Sequence, residues 1–240
     1  GGFGVMKLGC SAGAYSSGAS AISIGYQASA TGSGSKSVQI GYQAGNSSTG
    51  ANTVAIGPES LKIASAADTI AIGYQSLKAL TTGTSNTAVG YQAGLAQTTA
   101  ANNTILGHQA GLSVVDSDNT LIGASAGKGL TSGAYPSKNN VFIGSGAANA
   151  PIYANTAVAV GYKAAGGTST SNNSGQYVII GSSAASYSAA GSTHSSSVII
   201  GASAALTSSN QASTALVRSL IPIRRCRRTN MLKSQCPSVH

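Results

Sequence analysis

Charge is the first thing this chain lacks. Only 7% of its 240 residues are Asp, Glu, Lys or Arg, and the four acids are Glu59, Asp68, Asp116 and Asp118. Acid–base and hydrolytic catalysis need ionisable groups gathered at one place. The histidines, His108, His194 and His240, form no pattern with those acids. Stacked at strand spacing, Glu59 and His108 would stand about 14 Å apart. No Ser–His–acid or Cys–His arrangement is visible, so the chain reads as non-enzymatic, with no catalytic residue to name. Trp is absent and Phe occurs twice, which with the low charge argues against a nucleic-acid reader. Cys10, Cys226 and Cys236 have neither metal-ligand spacing nor the even framework of a disulfide scaffold. No metal and no cofactor are implied. No apolar run approaches the roughly 20 residues of a membrane-spanning helix, so no membrane insertion is expected of this segment. The opening Gly1-Gly-Phe-Gly is neither an initiator Met nor a signal peptide, and the chain reads as part of something longer.

The net charge of +9 is unevenly placed. Arg218, Arg224, Arg225, Arg227, Arg228 and Lys233 crowd the end of the chain, where no acid accompanies them. A nucleic-acid patch spreads its basic residues over a folded face, and these sit in a terminal segment. The reading is a repeat domain over 1–217 and an irregular basic tail over 218–240, mis-framed or disordered.

What is present is a phrase written twelve times: two apolar positions flanking a variable one, then Gly. The Gly residues are 9, 25, 41, 57, 73, 90, 107, 123, 144, 161, 181 and 201, at spacings of 16 to 21. So short a period, held along the chain, marks a solenoid whose every repeat is one coil stacked on the last. The position before the Gly is always aliphatic, as in Ile24, Ile56, Leu106 and Ile180. Three before it stand aliphatic residues or Thr, as in Val38, Val54, Thr87, Thr104, Thr120 and Val141. Alternation of this kind is a short strand, and β-branched residues suit its pleated surface. The two flanking columns are expected to face inward. The Gly is expected at a corner that only a residue without Cβ can make. Three positions after it only Ala or Ser is accepted, from Ala12 to Ala204, which implies a second, tightly packed inward column.

Stacking sets like above like, about 4.8 Å apart. Tyr26, Tyr42, Tyr74, Tyr91 and Tyr162 follow the Gly, with Pro58 and His108 interrupting. Gln27, Gln43, Gln75, Gln92 and Gln109 come next and could form an amide ladder. The Tyr column reads as a structural stack before it reads as a docking surface. Phased Ile and Val columns argue against the disorder that so much Gly, Ala, Ser and Thr would otherwise suggest. Asp116-Ser-Asp118-Asn119 has oxygens at alternate positions, as a Ca²⁺ loop does, but lacks the remaining ligands and the loop Gly. It reads as a solvated turn, and Gly32-Ser-Gly34-Ser-Lys36-Ser37 reads as a turn, not a phosphate cradle. Asn46, Asn102 and Asn172 open N-x-[ST] sequons.

Asn52-Thr-Val-Ala-Ile-Gly57 and Asn155-Thr-Ala-Val-Ala-Val-Gly161 resemble the head repeats of trimeric autotransporter adhesins. Asn86-Thr-Ala-Val-Gly-Tyr-Gln-Ala-Gly94 is similar to repeats of phage tail-fibre and other surface-fibre proteins. The likeness spans roughly residues 5–217, although the coils, at 16 to 21 residues, are longer than the family's. It implies an all-β, left-handed parallel β-roll, three chains side by side, and a role in attachment. With the repeat count, the expectation is about twelve stacked coils, roughly 55–60 Å long, in an extracellular, cell-surface or virion fibre. A host-surface glycan or protein receptor is the expected partner, with a purely structural spacer as the alternative. An ice- or mineral-binding lattice face is more remote, since the Thr87, Thr104 and Thr120 column is short and assigned inward.

Two sets of residues are singled out. Extra residues occur in three connections, Lys128–Asn139, Gly166–Gln176 and Tyr187–Ser196, and solenoid insertions map to loops. Their candidates for ligand binding are Tyr135, Pro136, Lys138, Asn172, Asn173, Tyr187 and His194. The second set is the variable residue between the flanking columns, large and apolar at Ile105, Leu121, Phe142, Ile179 and Ile199. With its neighbours facing inward this column would face outward, an apolar patch that monomers rarely tolerate. It is therefore expected to be the interface of a parallel homotrimer.

Overall fold

A computed structural model describes residues 4–15, 20–32, 34–130, 137–150, 154–166, 176–185 and 197–204, with the backbone of 215–217. Its strands follow in chain order: β1 (Met6–Leu8), β2 (Ile22–Ile24), β3 (Val38–Ile40), β4 (Val54–Ile56), β5 (Ile70–Ile72), β6 (Thr87–Val89), β7 (Thr104–Leu106), β8 (Thr120–Ile122), β9 (Val141–Ile143), β10 (Val158–Val160), β11 (Tyr177–Ile180), β12 (Ser197–Ile200) and β13 (Ala215–Val217). They make one parallel sheet, each strand beside its sequence neighbours. The register matches the repeat: Val38 pairs Val54, Val54 pairs Ile70, and Thr87 pairs Thr104. The all-β solenoid is as expected, with β13 adding the start of a thirteenth coil. No helix occurs among the described residues.

Between strands the coils remain bonded. Gly25 N donates to Leu8 O at 2.8 Å, Gln43 N to Tyr26 O at 2.9 Å, and Thr49 N to Ala64 O at 2.8 Å. Backbone groups on several sides of each coil therefore find partners in the next, as buried polar groups must. The repeat Gly lies at the tightest point. Its φ runs from +117° to +142°, outside the region that L residues adopt. A Cβ added at Gly57 would stand 2.7 Å from Gly73 O, so the column is fixed both by conformation and by the approach of the coil above.

The inward and outward columns are the reverse of the sequence expectation. Ile105, Leu121, Phe142 and Ile179 are fully buried within their own coils, as is Ile199 at 2% exposure. They cannot form a trimer interface. The flanking columns point out instead: β2, β3 and β4 are each half-buried, buried, half-buried along the strand. Thr87 and Thr104 are exposed and Thr120 half-buried, so this Thr column also faces outward. The physical reason is width. The middle column faces the Ala and Ser column, of which Ala28, Ala44, Ser60 and Ala110 have no exposure. Such an interior is too thin for two Ile or Val columns side by side.

That thin interior is filled by reciprocal sizes. Where the middle strand residue is large, the residue four after the Gly is small: Ile105 with Gly111, Leu121 with Gly127, and Phe142 with Ala148. At Ala55 and Ala71 a buried Leu takes the space, at Leu61 and Leu77, whereas Ala88 goes with Gly94, beside which Leu77 and Ile105 reach in from the adjacent coils, and Ala159 goes with Ala165. A Cβ on Gly111 would lie 2.8 Å from Leu121 Cδ1, and one on Gly127 2.7 Å from Leu121 Cδ2. Leu61 and Leu77 accept φ of +46° and +49° to fill the gap, a strain offset by burying a whole Leu, roughly 1.5–3 kcal/mol.

Polarity changes along the same column. Lys7, Ser23 and Gln39 occupy it first, then Ala55, Ala71 and Ala88, then the large apolar residues. Lys7 Nζ donates to Gly13 O, but Ser23 Oγ and Gln39 Oε1 are buried without partners. Two stability measurements test this core. Leu121→Ala is expected to lower unfolding free energy by about 2–5 kcal/mol, and a change near zero would place Leu121 at the surface. Gln39→Leu, flanked by Gly45 in the manner of Leu121 by Gly127, is expected to raise it by about 1 kcal/mol, and a loss would show that the amide is satisfied.

Candidate functional site

The repeat turns every property of one coil into a stripe along the rod, so the candidate sites are faces. The first is the strand face. Its two outward columns are aliphatic or Thr from β1 to β12, and Leu106 is 45%, Ile143 37%, Ile180 39% and Ile200 38% exposed. At strand spacing this face is roughly 58 Å long and 10 Å wide. Its area, on the order of 600 Å², is at the upper end of what a monomer leaves open.

The second face lies past the Gly corner. Tyr26 stacks on Tyr42 with ring centroids 5.6 Å apart and planes 10° off parallel. Tyr74 stacks on Tyr91 at 5.4 Å, and Tyr91 on His108 at 5.1 Å. The rings lie face against face within the stack, with Tyr26, Tyr42, Tyr74 and Tyr91 exposed along the ridge. Lys163 Nζ sits 5.2 Å from the Tyr162 ring centroid, a cation–π contact in place of a further stacked ring.

Beside the Tyr ridge runs the Gln ladder, and it has a direction. Gln109 Nε2 donates to Gln92 Oε1 at 3.1 Å and Gln92 Nε2 to Gln75 Oε1 at 3.1 Å. Gln75 Nε2 then donates to Glu59 Oε2 at 2.8 Å. Lys128 Nζ feeds the other end, donating to Gln109 Oε1 at 2.9 Å. A donor-only group thus begins the chain of bonds and an acceptor-only group ends it. Gln43 Nε2 donates to Gln27 Oε1 at 2.7 Å in a separate rung, because a Glu59 carboxylate has no proton to pass on.

Glu59 is the electrostatic focus of this ridge. Lys78 and Lys62 reach its two oxygens at 2.7 and 2.9 Å. The Lys78 bond, then those of Gln75 and Lys62, hold its carboxyl down at about 2. The other acids serve the corners. Asp116 Oδ2 accepts from Ser137 N at 2.8 Å, Asp118 Oδ1 from Asn102 Nδ2 at 3.0 Å, and Asp68 Oδ1 from Asn52 Nδ2 at 2.8 Å. Among the described residues no group of acids, His or Cys is arranged to hold a metal ion.

Of the loop candidates, Lys138 is exposed, its backbone carbonyl accepting from Thr156 N at 3.0 Å. Tyr135, Pro136, Asn172, Asn173, Tyr187 and His194 lie outside the described residues, as does the tail 218–240.

A buried column escaped the sequence reading. Asn103 N donates to Asn86 Oδ1, Asn119 N to Asn103 Oδ1, Asn140 N to Asn119 Oδ1 and Ala157 N to Asn140 Oδ1, at 2.8 to 3.1 Å. These Asn stand four before the Gly, where earlier coils carry Ser37, Thr53 and Thr69. Their recurrence was the available signal. Asn52, five before its Gly, is an exposed αL corner, whereas Asn86, four before its Gly, is a buried ladder member. Tyr177 holds the same place in β11, its hydroxyl buried without a partner and its phenol pushed above the usual range by burial.

Comparison with family models, curated proteins and solved structures finds no match. The faces themselves must carry the functional argument.

A titration tests the Glu59 centre. Because the folded carboxyl is depressed, its stabilising contribution is full above the unfolded value near 4.5 and is lost as pH falls toward about 2. Glu59→Gln is expected to flatten the unfolding profile across that window. An unchanged acid limb would show that the two Lys contacts contribute nothing to stability.

Proposed function

We propose that this chain is a non-enzymatic fibre segment of the adhesin-head type. It assembles as a parallel homotrimer through its strand face and presents its remaining faces to a host or cell surface. The observation that carries this reading is the outward turn of the aliphatic columns. A rod whose longest uninterrupted stripe is Val, Ile and Leu has a strong drive to hide that stripe. Every coil offers the same two-residue unit, so a copy alongside finds a matching surface at each level.

Threefold packing supports the trimer over a pair. Three such stripes around one axis cover each other on both flanks, whereas two flat faces leave their margins wet. The resemblance of Asn52–Gly57 and Asn155–Gly161 to adhesin head repeats points the same way. In that arrangement the Tyr ridge, the Gln ladder and the Lys138 connection lie away from the axis. They are the surfaces open to a glycan or protein receptor outside the cell or on a virion. The interface is formed by Val54, Ile56, Ile70, Ile72, Val141, Ile143 and their equivalents, and not by the middle column.

Sedimentation equilibrium is the first test, with a trimer expected at micromolar concentration. Ile72→Lys paired with Ile143→Lys is expected to give folded monomers, since both side chains lie on the outer face. A wild-type monomer, or variants that stay trimeric, would reject the interface. Attachment to cell-surface glycans or receptor-bearing cells by the trimer would support adhesion. A trimer that attaches to neither would be a spacer.

A further inference from the structure

The strand face is uniform except for one band. The column three before the Gly reads Val38, Val54, Ile70, then Thr87, Thr104, Thr120, then Val141, Val158, Val178. The three Thr are vertically contiguous, Thr87 paired with Thr104 and Thr104 with Thr120 in the sheet register. Their side chains make no hydrogen bond within the described residues, and Thr87 and Thr104 are exposed. Nothing in the coil itself requires them: the same position holds Val or Ile in the neighbours, and Val has the same shape as Thr.

A self-associating face built from identical coils has a particular weakness. Sliding one copy by one coil sets Ile against Val instead of Ile against Ile, which changes almost nothing. Apolar contact is non-directional, so such a face specifies that copies meet but not at which level. Repetitive strands are prone to slip for this reason. A polar residue at one otherwise apolar level can specify register, at a cost in stability, as it does in coiled coils.

Resting on the self-association proposed above, we infer that the band Thr87–Thr104–Thr120 is the register key of the assembly. In register, hydroxyls of one copy meet hydroxyls of the others and can bond to them. With a slip of two coils, most of these hydroxyls lie against Val or Ile, buried without partners. The band lies near the middle of the thirteen strands, so it discriminates slips in either direction.

The test is disulfide mapping on the full chain with Cys10, Cys226 and Cys236 changed to Ser. One pool carries Val38→Cys and a second, size-tagged pool carries Ile70→Cys, two coils away. A parallel experiment uses Ile40→Cys and Ile72→Cys in the other outward column. Two coils is roughly 9.6 Å, beyond what a disulfide spans. Co-refolded and oxidised, the native Thr background is expected to give same-position disulfides only. Thr87→Val, Thr104→Val and Thr120→Val together are expected to raise the mixed-position fraction at least tenfold, with trimer and fold retained by sedimentation and circular dichroism. The corresponding Thr→Ser triple variant, which keeps the hydroxyls, is expected to restore same-position pairing. Mixed pairing in the native background, or same-position pairing alone in the Val background, would overturn the register role while leaving self-association intact. Monomers in the native background would overturn the self-association reading, and the register key with it.

Discussion

Everything in this fold follows from how closely one coil lies on the next at the glycine corner. There the backbone of one repeat meets that of its neighbour with no room for a Cβ, at a φ that other residues avoid. That contact keeps the coils in step, so equivalent residues stack in columns and whatever one coil does is done again by the next. It also makes the coil narrow. A narrow coil can hold one strand-side column and one Ala or Ser column, with a third position that must share the remaining space with the first and with the adjacent coils. The reciprocity of Ala71 with Leu77 and of Leu121 with Gly127 is volume conservation inside a tube of fixed bore.

The same narrowness forces the aliphatic residues outward. A coil cannot bury three strand positions, and alternation sends the two flanking ones to one face and the middle one to the other. The sequence shows the alternation plainly, but period two says which residues share a face and not which face is inside. Reading the most hydrophobic columns as core is sound for a sandwich, whose interior is about 10 Å thick. It fails where the opposing layer is Ala and Ser. A signal that could have corrected it was present in several coils: Ala55 and Ala71 go with Leu61 and Leu77, while Ile105, Leu121 and Phe142 go with Gly111, Gly127 and Ala148, and covariation in size is the mark of two side chains sharing a space.

Other features were legible because they depend on stacking alone. The strands, the corner Gly, the buried Ala or Ser column and the Gln ladder all follow from column identity. The direction of that ladder does not, since it depends on which amide donates, and that is set by Lys128 at one end and Glu59 at the other. The Asn column was hidden for a different reason. Asn86 and Asn52 are one step apart in the coil, one facing the interior and one facing water. Counting back from the Gly separates the two, five residues for Asn52 and four for Asn86, but which of those places faces inward depends on the corner's backbone geometry.

The interior and the outer face are therefore graded independently. Inside, the strand-side column runs from Lys7, Ser23 and Gln39 through Ala to Ile105, Leu121 and Phe142, so the unpartnered oxygens of this column, Ser23 Oγ and Gln39 Oε1, lie in the early coils. Each unpartnered buried group costs about 1–3 kcal/mol, and others lie off this column along the rod, at Ser48, Thr53, Gln97, Asn155 and Tyr177, so that cost is spread over early and late coils. Outside, the stripe from β2 to β12 is aliphatic in the early and late coils alike, broken by the central Thr. In the proposed assembly a continuous outer stripe would give every coil the same apolar cover, whatever stands in its own strand-side column. Association and folding would then be coupled along the axis, and the outer stripe would contribute most, relative to the coil's own core, where the strand-side residue is Ser23 or Gln39.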